Sequence, residues 1–125
     1  MSKNQMTASQ FYFSFEGRIN RQLYWVNFVL MVVVPVYIVA GIIDGAMGAG
    51  IQGIFLNIIA PLILLWPGLA TQVKRWHDRN KSGWWVLINL IPIIGWIWAL
   101  IEVGFLPGTK GNNRFGSDPL GHSEI

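Results

Sequence analysis

The chain has 125 residues, of which 53% are hydrophobic and 12% are charged, and its mean hydropathy is +0.45. Soluble domains carry about 25% charged residues, and a soluble fold of this size could not bury so much apolar surface. The formal charge of +3 suits an anionic lipid surface, and long apolar runs between the basic clusters favour a membrane over nucleic acid as the partner. Because the chain has no cysteine, disulfides, thiol catalysis and cysteine metal sites are excluded.

The segment before the first apolar run has a helical pattern. Phe15, Ile19 and Leu23 recur every four residues, and polar residues that include Arg18 and Arg21 fill the positions between them. This spacing predicts a short amphipathic helix that lies on the membrane surface and leads into the first span. A cleaved signal peptide is disfavoured, because the apolar run that follows exceeds the roughly 7 to 15 residues of a signal-peptide core.

Three apolar stretches reach the roughly 20 residues that are needed to cross a hydrocarbon core of about 30 Å. They cover residues 25–43, 54–73 and 84–106. Pro35 predicts a kink in the first stretch, and two prolines in the second predict a bent or locally broken helix. We expect residues 44–53 to form a flexible glycine-rich loop and the Gly/Pro-rich tail to be polar. The sequence therefore predicts an all-α membrane protein with three transmembrane helices in a single domain over residues 1–125.

The distribution of basic residues predicts the topology. Three Lys and Arg precede the first span, none lies in residues 44–53, four lie in 74–81 and two lie in the tail. With three crossings, the positive-inside rule puts the amino terminus in the cytoplasm and the tail in the periplasm. In the alternative, residues 84–106 form a re-entrant hairpin around the sequence IPIIGW, and the tail returns to the cytoplasm. Such a hairpin needs other protein to cover its backbone.

The connector before the third stretch, RWHDRNKSGWW, combines charges with tryptophans. Trp25 and Trp84 are placed to anchor span ends at the headgroup level. The basic residues of the connector would attract anionic headgroups with about 1 kcal/mol each. Ser82 is placed to cap the third helix, and Gly83 permits a tight entry into it.

Two ionisable features could carry chemistry, but neither predicts a catalytic, cofactor or metal site. His77 and Asp78 are neighbours that point about 100° apart on a helix, and no nucleophile motif accompanies them. The only other histidine is His122 in the tail, which disfavours a metal site. Glu102 is an acid inside the third predicted span and is by default a functional candidate. Its closeness to Pro107 favours an interfacial or ion-paired role.

Four segments, FEGRINRQLYW, RWHDRNKSGWW, IPIIGWIW and PGTKGNNRFGSDP, occur in this order and cover most of the chain. Together they resemble the domain of unknown function 805 (DUF805), a family of small bacterial inner-membrane proteins. The similar region is 11–119, and we expect residues 1–10 and 120–125 to be flexible. The resemblance implies an integral inner-membrane protein without an established activity. It also marks a set of structural motif residues: Gly17, Trp25, Ser82, Gly83, Trp84, Gly116, Asp118 and Pro119.

The sequence favours a non-enzymatic module that binds anionic headgroups or a partner protein in envelope maintenance. The candidate contact residues for lipid or a partner are Arg18, Arg21, Lys74, Arg75, His77, Asp78, Arg79, Lys81 and Arg114. The alternative is a subunit of an oligomeric transporter or channel, because three helices are too few to enclose a pore. The expected partners are anionic membrane lipids, with a homo-oligomer or a membrane-protein partner as a further possibility, and nucleic acid is not expected.

Overall fold

The computed structural model describes residues 6–48 and 53–120, and within them it contains helices, turns and irregular segments but no strand. An isolated bridge joins Asn113 to Gly116. The α-helix-based elements, numbered in chain order, are α1 (Ala8–Phe13), α2 (Arg21–Met47), α3 (Phe55–Asp78) and α4 (Ile94–Phe105), and a 3₁₀ helix (Gly83–Leu90) precedes α4. The predicted all-helical class is confirmed.

Helices α2 and α3 are the two elements long and apolar enough to cross a membrane. They have 27 and 24 residues, and only 11% and 28% of their most apolar windows are buried within the chain. A helix that is apolar and mostly exposed is typical of contact with lipid. These two helices contain the first and second predicted spans.

Prolines in α2 and α3 do not interrupt the helices. The first part of each helix contains π-helical turns, over Tyr24–Val33 in α2 and Phe55–Ile59 in α3. Pro35 and Pro61 then lie in the first turn of the α-helical part that follows, where a missing backbone N–H is best tolerated. Pro67 lies inside the α-helical part of α3, which still continues to Asp78, so the second stretch is not locally broken at this proline.

The structure corrects the predicted third span. Residues 84–106 do not form one helix: the 3₁₀ helix ends at Leu90, a turn follows, and α4 has only 12 residues. Ile93 in this turn has a φ of +64°, which a β-branched residue rarely adopts. The two arms therefore form a helical hairpin, which we call the hairpin (residues 83–105).

Both ends of the hairpin lie at the same end of α2 and α3. The Thr109 amide, just after the hairpin, donates to the Asp78 carbonyl at 2.6 Å, just before it. A single crossing by residues 84–106 would separate these two atoms by a hydrocarbon core of about 30 Å. Residues 84–106 therefore begin and end near the same end of α3.

The structure also corrects the predicted amphipathic helix before the first span. Residues 14–20 are irregular, Gly17 has a φ of +97°, and Ile19 is completely buried. The helical part lies earlier, in α1, where Thr7 and Gln10 form a reciprocal capping box. Residues 8–10 thus belong to α1, while residues 1–5 and 121–125, with His122, lie outside the described residues.

The connector between α2 and α3 is shorter than predicted. Helix α2 extends to Met47, and the Asp44 carboxylate accepts hydrogen bonds from the backbone amides of Phe55 (3.0 Å) and Leu56 (2.9 Å). Asp44 therefore binds the first free amides of the next helix, a favourable place for an anion. Residues 49–52 of the predicted flexible loop lie outside the described residues.

Candidate functional site

The residues of the sequence motifs converge on a buried ionic cluster at the end of α3. The Asp78 carboxylate contacts the Arg18 guanidinium at 3.0 Å through one oxygen and the Arg75 guanidinium at 2.6 Å through the other. All three side chains are almost fully buried, with at most 4% exposure. Two arginines face one carboxylate, so the remaining positive charge needs further acceptors.

Arg75 finds those acceptors at the carboxyl end of α4. Its Nε donates to the Val103 carbonyl at 2.6 Å, and its Nη2 donates to the Leu106 carbonyl at 2.7 Å. Its Nη1 also donates to the Ile19 carbonyl at 3.1 Å. The last carbonyls of a helix carry partial negative charge and have no intrahelical partner, so a guanidinium there is favourable.

Two side chains from α2 also bind the carbonyls at the carboxyl end of α4, and together with Arg75 they form the cap on α4. The Trp25 indole Nε1 donates to the Gly104 carbonyl at 2.7 Å, and Arg21 donates to the Phe105 carbonyl at 2.8 Å. A Cβ on Gly104 would lie 2.8 Å from the Trp25 ring, so glycine allows this close approach. Trp25 thus joins two helices as well as occupying a span end.

Arg18 binds the tail in a similar way. Its Nη1 donates to the Gly111 carbonyl at 2.7 Å and its Nη2 donates to the Thr109 carbonyl at 2.5 Å. A further bond reaches the Gly116 carbonyl at 3.2 Å. Within the tail, Asp118 accepts from the Gly111 amide at 2.9 Å. One guanidinium therefore links Asp78 to both sides of the tail turn.

Lys74 caps the amino-terminal helix α1. It is completely buried, and its ammonium donates to the carbonyl of Phe11 at 2.7 Å and to that of Ser14. These carbonyls lie in and just after the last turn of α1. The lysine is therefore held inside the protein by a helix terminus and does not face the headgroups.

His77 and Asp78 have separate surroundings. The His77 Nδ1 donates to the Gly17 carbonyl at 2.9 Å, and the ring stacks on Phe115 with centroids 3.9 Å apart. The Asp78 carboxylate instead binds the two arginines. The side chains do not converge on a shared pocket as an acid/base pair would.

Glu102 lies on α4, beside the charged connector. Its carboxylate contacts Lys81 at 2.6 Å and Arg79 at 3.3 Å, and it accepts from the Trp98 indole at 2.9 Å. Burial alone would raise the pKa of Glu102, but the hydrogen bonds from Lys81, Trp98 and Arg79 together lower it below its ordinary value. Glu102 is thus ion-paired, which is one of the two roles that its closeness to Pro107 favours.

The remaining motif residues shape turns around the cluster. Ser82 caps the 3₁₀ helix, as predicted, by accepting from the Trp84 amide. A Cβ on Gly83 would lie 2.9 Å from the Val73 side chain, so Gly83 permits the tight entry expected. Gly116 has a φ of +138° in the tail turn, and Pro119 follows the buried Asp118. Trp84 is 78% exposed, which suits contact with lipid.

The structure divides the nine candidate contact residues by exposure. Five are buried and bound within the chain: Arg18, Lys74, Arg75, His77 and Asp78. Arg79 and Lys81 are partly exposed and paired with Glu102. Arg21 and Arg114 are exposed. Arg114 donates to the Asn80 carbonyl at 3.2 Å, which holds the tail against the connector.

Sequence reasoning missed most of the partners of the cluster. Thr109, Gly111, Val103 and Leu106 contribute backbone carbonyls, which any residue type would supply, so their side chains gave no signal. Gly108 is different, because a Cβ there would lie 1.9 Å from the Asp78 Oδ2 atom. The resemblance to the family includes Gly108, but no sequence pattern indicates that this glycine lies against Asp78.

Comparisons with known proteins agree with the pattern of these motifs. A family model described as a protein of unknown function (DUF805) matches residues 12–117. The inner membrane protein YhaH of Escherichia coli K12 is 40% identical over 111 residues, which cover 86% of this chain and 88% of the relative.

Two further relatives come from the same organism. The inner membrane protein YhaI is 33% identical over 86% of this chain and 87% of its own length, and the uncharacterized protein YiiR is 31% identical over 90% of each. No solved structure gives a significant match. The chain belongs to the DUF805 family of proteins of unknown function.

Proposed function

We propose that the chain is a bacterial inner-membrane protein that crosses the bilayer twice, through α2 and α3. The hairpin enters and leaves on the cytoplasmic side, so both termini are cytoplasmic. The contact between Thr109 and Asp78, at the two ends of the hairpin, carries this proposal. The described residues at the opposite end of α2 and α3, around Asp44 and Phe55, include no Lys or Arg, which agrees with the positive-inside rule.

A tag at either terminus tests this topology. In spheroplasts, protease or a membrane-impermeant label should reach neither a tag before residue 6 nor a tag after residue 120. A cysteine placed near Gly48 should be labelled from outside. Outside labelling of the carboxyl-terminal tag would restore three crossings and would contradict the proposal.

The module acts without catalysis, and its cytoplasmic face binds anionic lipid headgroups. The exposed charge on this face is mainly positive, which supports this function. Arg21, Lys110 and Arg114 are exposed, whereas Asp78, Glu102 and Asp118 are buried, which leaves Glu16 as the exposed acid there among the described residues. Each exposed cation contributes about 1 kcal/mol of attraction to an anionic leaflet. Together they bias the lipid around the protein and support a role in envelope maintenance.

Lipid selection around the reconstituted protein tests this function. In nanodiscs of mixed phosphatidylglycerol and phosphatidylcholine at low salt, the wild-type chain should enrich phosphatidylglycerol. The Lys110→Gln, Arg114→Gln double variant should lose much of that enrichment, and salt should reduce it further. A Gln10→Glu, Lys110→Gln variant changes the net charge by the same two units and should lose a similar share of the enrichment. Equal lipid ratios for wild type and both variants would contradict headgroup binding.

A second candidate is an oligomer in which the hairpin of one copy is covered by another. The exposed apolar tip of the hairpin favours it: Leu90 is 77% exposed and Ile93 is 65% exposed, and the backbone between them is not helical. Such backbone at membrane depth is tolerated where protein covers it. This is the arrangement that a subunit of a transporter or channel would use.

Cysteine crosslinking separates the two candidates, because the natural chain has no cysteine. A Leu90→Cys variant should give a crosslinked dimer in membranes if the tips of two hairpins meet. Leu30→Cys on α2, which is also exposed, is the matched control. A chain that stays monomeric in nanodiscs and does not crosslink at residue 90 would remove the oligomeric candidate and leave the lipid-binding module.

A further inference from the structure

A cavity of about 290 Å³ lies beside the ionic cluster, between the start of α2, the end of α3 and the tail. Gly108 and Asp78 line one part of it, Arg21 and Lys110 contribute basic side chains, and Pro107 and Leu120 contribute apolar surface. Its volume is close to the lower end of the range for small-molecule sites. The cavity is therefore large enough for a small polar group.

The two carboxylates of this cavity are already engaged. Asp78 is paired with Arg18 at 3.0 Å and with Arg75 at 2.6 Å. Asp118 accepts from the amides of Gly111 and Leu120 at 2.9 and 2.8 Å. Charged acceptors with such partners present little uncompensated negative charge to a ligand.

The two cations have unused capacity. Lys110 is exposed, and within the described part of the chain its ammonium has no hydrogen-bond or ion-pair partner. Arg21 is exposed and donates one hydrogen bond, to the Phe105 carbonyl, which leaves most of its guanidinium donors available. Two cations on separate segments, at the rim of one cavity, give a site for a ligand with several negative oxygens.

We infer that this cavity binds a phosphate group, with Arg21 and Lys110 as its ligands. The inference rests on the proposed placement of this face at the cytoplasmic headgroup level, because Arg21 is the first residue of the membrane-crossing helix α2. The phosphate diester of an anionic lipid and free inorganic phosphate share this chemistry. The apolar surface from Pro107 and Leu120 suits the glycerol part of a lipid.

The experiment uses the full chain in phosphatidylcholine nanodiscs that contain a small fraction of phosphatidylglycerol. At about 0.5 M ammonium acetate, screening acts over on the order of 4 Å and suppresses the diffuse attraction of exposed cations. Native mass spectrometry then counts the phosphatidylglycerol molecules that remain bound to each chain. We expect one.

Variants at Lys110 give the decisive comparison, since this side chain has no structural contact to lose. Lys110→Gln should lower the retained fraction roughly tenfold, the equivalent of one charge-assisted hydrogen bond, and Lys110→Arg should restore it. Arg114→Gln removes an exposed cation that does not line the cavity and should leave retention unchanged. Equal retention of phosphatidylcholine and phosphatidylglycerol would overturn the site. So would retention of phosphatidylglycerol that Lys110→Gln does not change.

Inorganic phosphate at millimolar concentration separates the two sources of the ligand. Displacement of the retained lipid assigns the site to the phosphate anion in general, whereas no displacement assigns it to the lipid ester. The low-salt enrichment that tests the proposed function depends on all exposed cations, so Arg114→Gln lowers it as much as Lys110→Gln does. Diffuse enrichment without a retained lipid would refute this site alone, whereas the absence of both would refute the proposed function as well.

Discussion

Gly108 lies directly against the Asp78 carboxylate, and a Cβ at residue 108 would be 1.9 Å from Oδ2 and 2.2 Å from Cγ. Asp78 cannot move away, because two buried arginines hold its oxygens. The contact explains why the tail can pass over the ionic cluster closely enough for the Thr109 amide to bind the Asp78 carbonyl.

Replacing this glycine should therefore destabilise the fold. Gly108→Ala forces a shift of the tail or of Asp78, and overpacking of this kind costs about 1 to 3 kcal/mol. Thermal unfolding of the protein in detergent or nanodiscs measures the effect. Gly45→Ala is the control, since a Cβ there meets nothing within 4 Å. Equal melting temperatures for both variants would show that the tail does not lie on Asp78.

Arg75 should tolerate no substitution, including lysine. Its guanidinium binds Asp78 and the carbonyls at the end of α4 from fixed directions, which an ammonium cannot reproduce. We expect Arg75→Lys to cost about 3 to 5 kcal/mol, the range for breaking a buried ion pair. The accumulated amount of folded protein in membranes and its melting temperature measure this loss.

Arg79→Lys provides the comparison for Arg75→Lys. Arg79 is an arginine one helical turn later whose side chain is 26% exposed, and its pair with Glu102 is partly solvated. Pairs of this kind contribute about 0 to 1 kcal/mol, so this variant should fold nearly as well as the wild type. Similar losses for both variants would mean that Arg75 is solvated.

Arg18 should hold the tail against the ionic cluster and so protect it from proteases. Arg18→Gln removes the bonds to the Thr109 and Gly111 carbonyls and the pair with Asp78, so the tail should detach more often. Limited trypsin digestion of inside-out vesicles should then cut after Lys110 and Arg114 faster than in the wild type. Glu16→Gln, an exposed change two residues earlier, should leave the cleavage rate unchanged. An unaltered rate for Arg18→Gln would contradict the role of this arginine.

Glu102 should behave as a local ion-pair acceptor. Glu102→Gln keeps an acceptor for Lys81 and Trp98 but removes the charge, and because both cations are partly exposed we expect a loss of about 1 kcal/mol or less. Unfolding midpoints at low and high salt measure this loss and its screening. Wild-type stability combined with loss of the phosphatidylglycerol enrichment would instead make Glu102 a functional acid.

The length of the apolar runs predicted α2 and α3 because hydrophobic length alone determines whether a helix can cross a bilayer. The hairpin could not be predicted in this way. Its turn places Ile93 at a positive φ, and because β-branched residues rarely adopt this conformation, the sequence did not indicate a turn there. Residues 14–20 carried a periodic apolar pattern that predicted a helix. There tertiary packing prevailed, since Ile19 is buried and its carbonyl binds Arg75.

The ionic cluster shows why the sequence only partly distinguished the buried candidate contact residues from the exposed ones. Lys74 and Arg75 are charged, as is typical of a solvated connector. Their partners are mainly backbone carbonyls of residues distant in the sequence, and no residue pattern indicates such contacts. Ser82 could be predicted because its capping contact is local, two residues along the chain.

The cap on α4 has a consequence for biogenesis. Lys74 and Arg75 at the end of α3 bind backbone 63 residues earlier and 31 residues later, and Arg18 binds backbone 98 residues later. During synthesis, α2 and α3 are complete while the tail is still inside the ribosome, so Arg18 and Arg75 lack these later carbonyls until the chain is released. The hairpin can then pack against the cluster only as the last step. In ribosome-tethered chains that end before residue 105, the connector should be exposed to solvent, whereas in the finished protein the hairpin and the tail cover it.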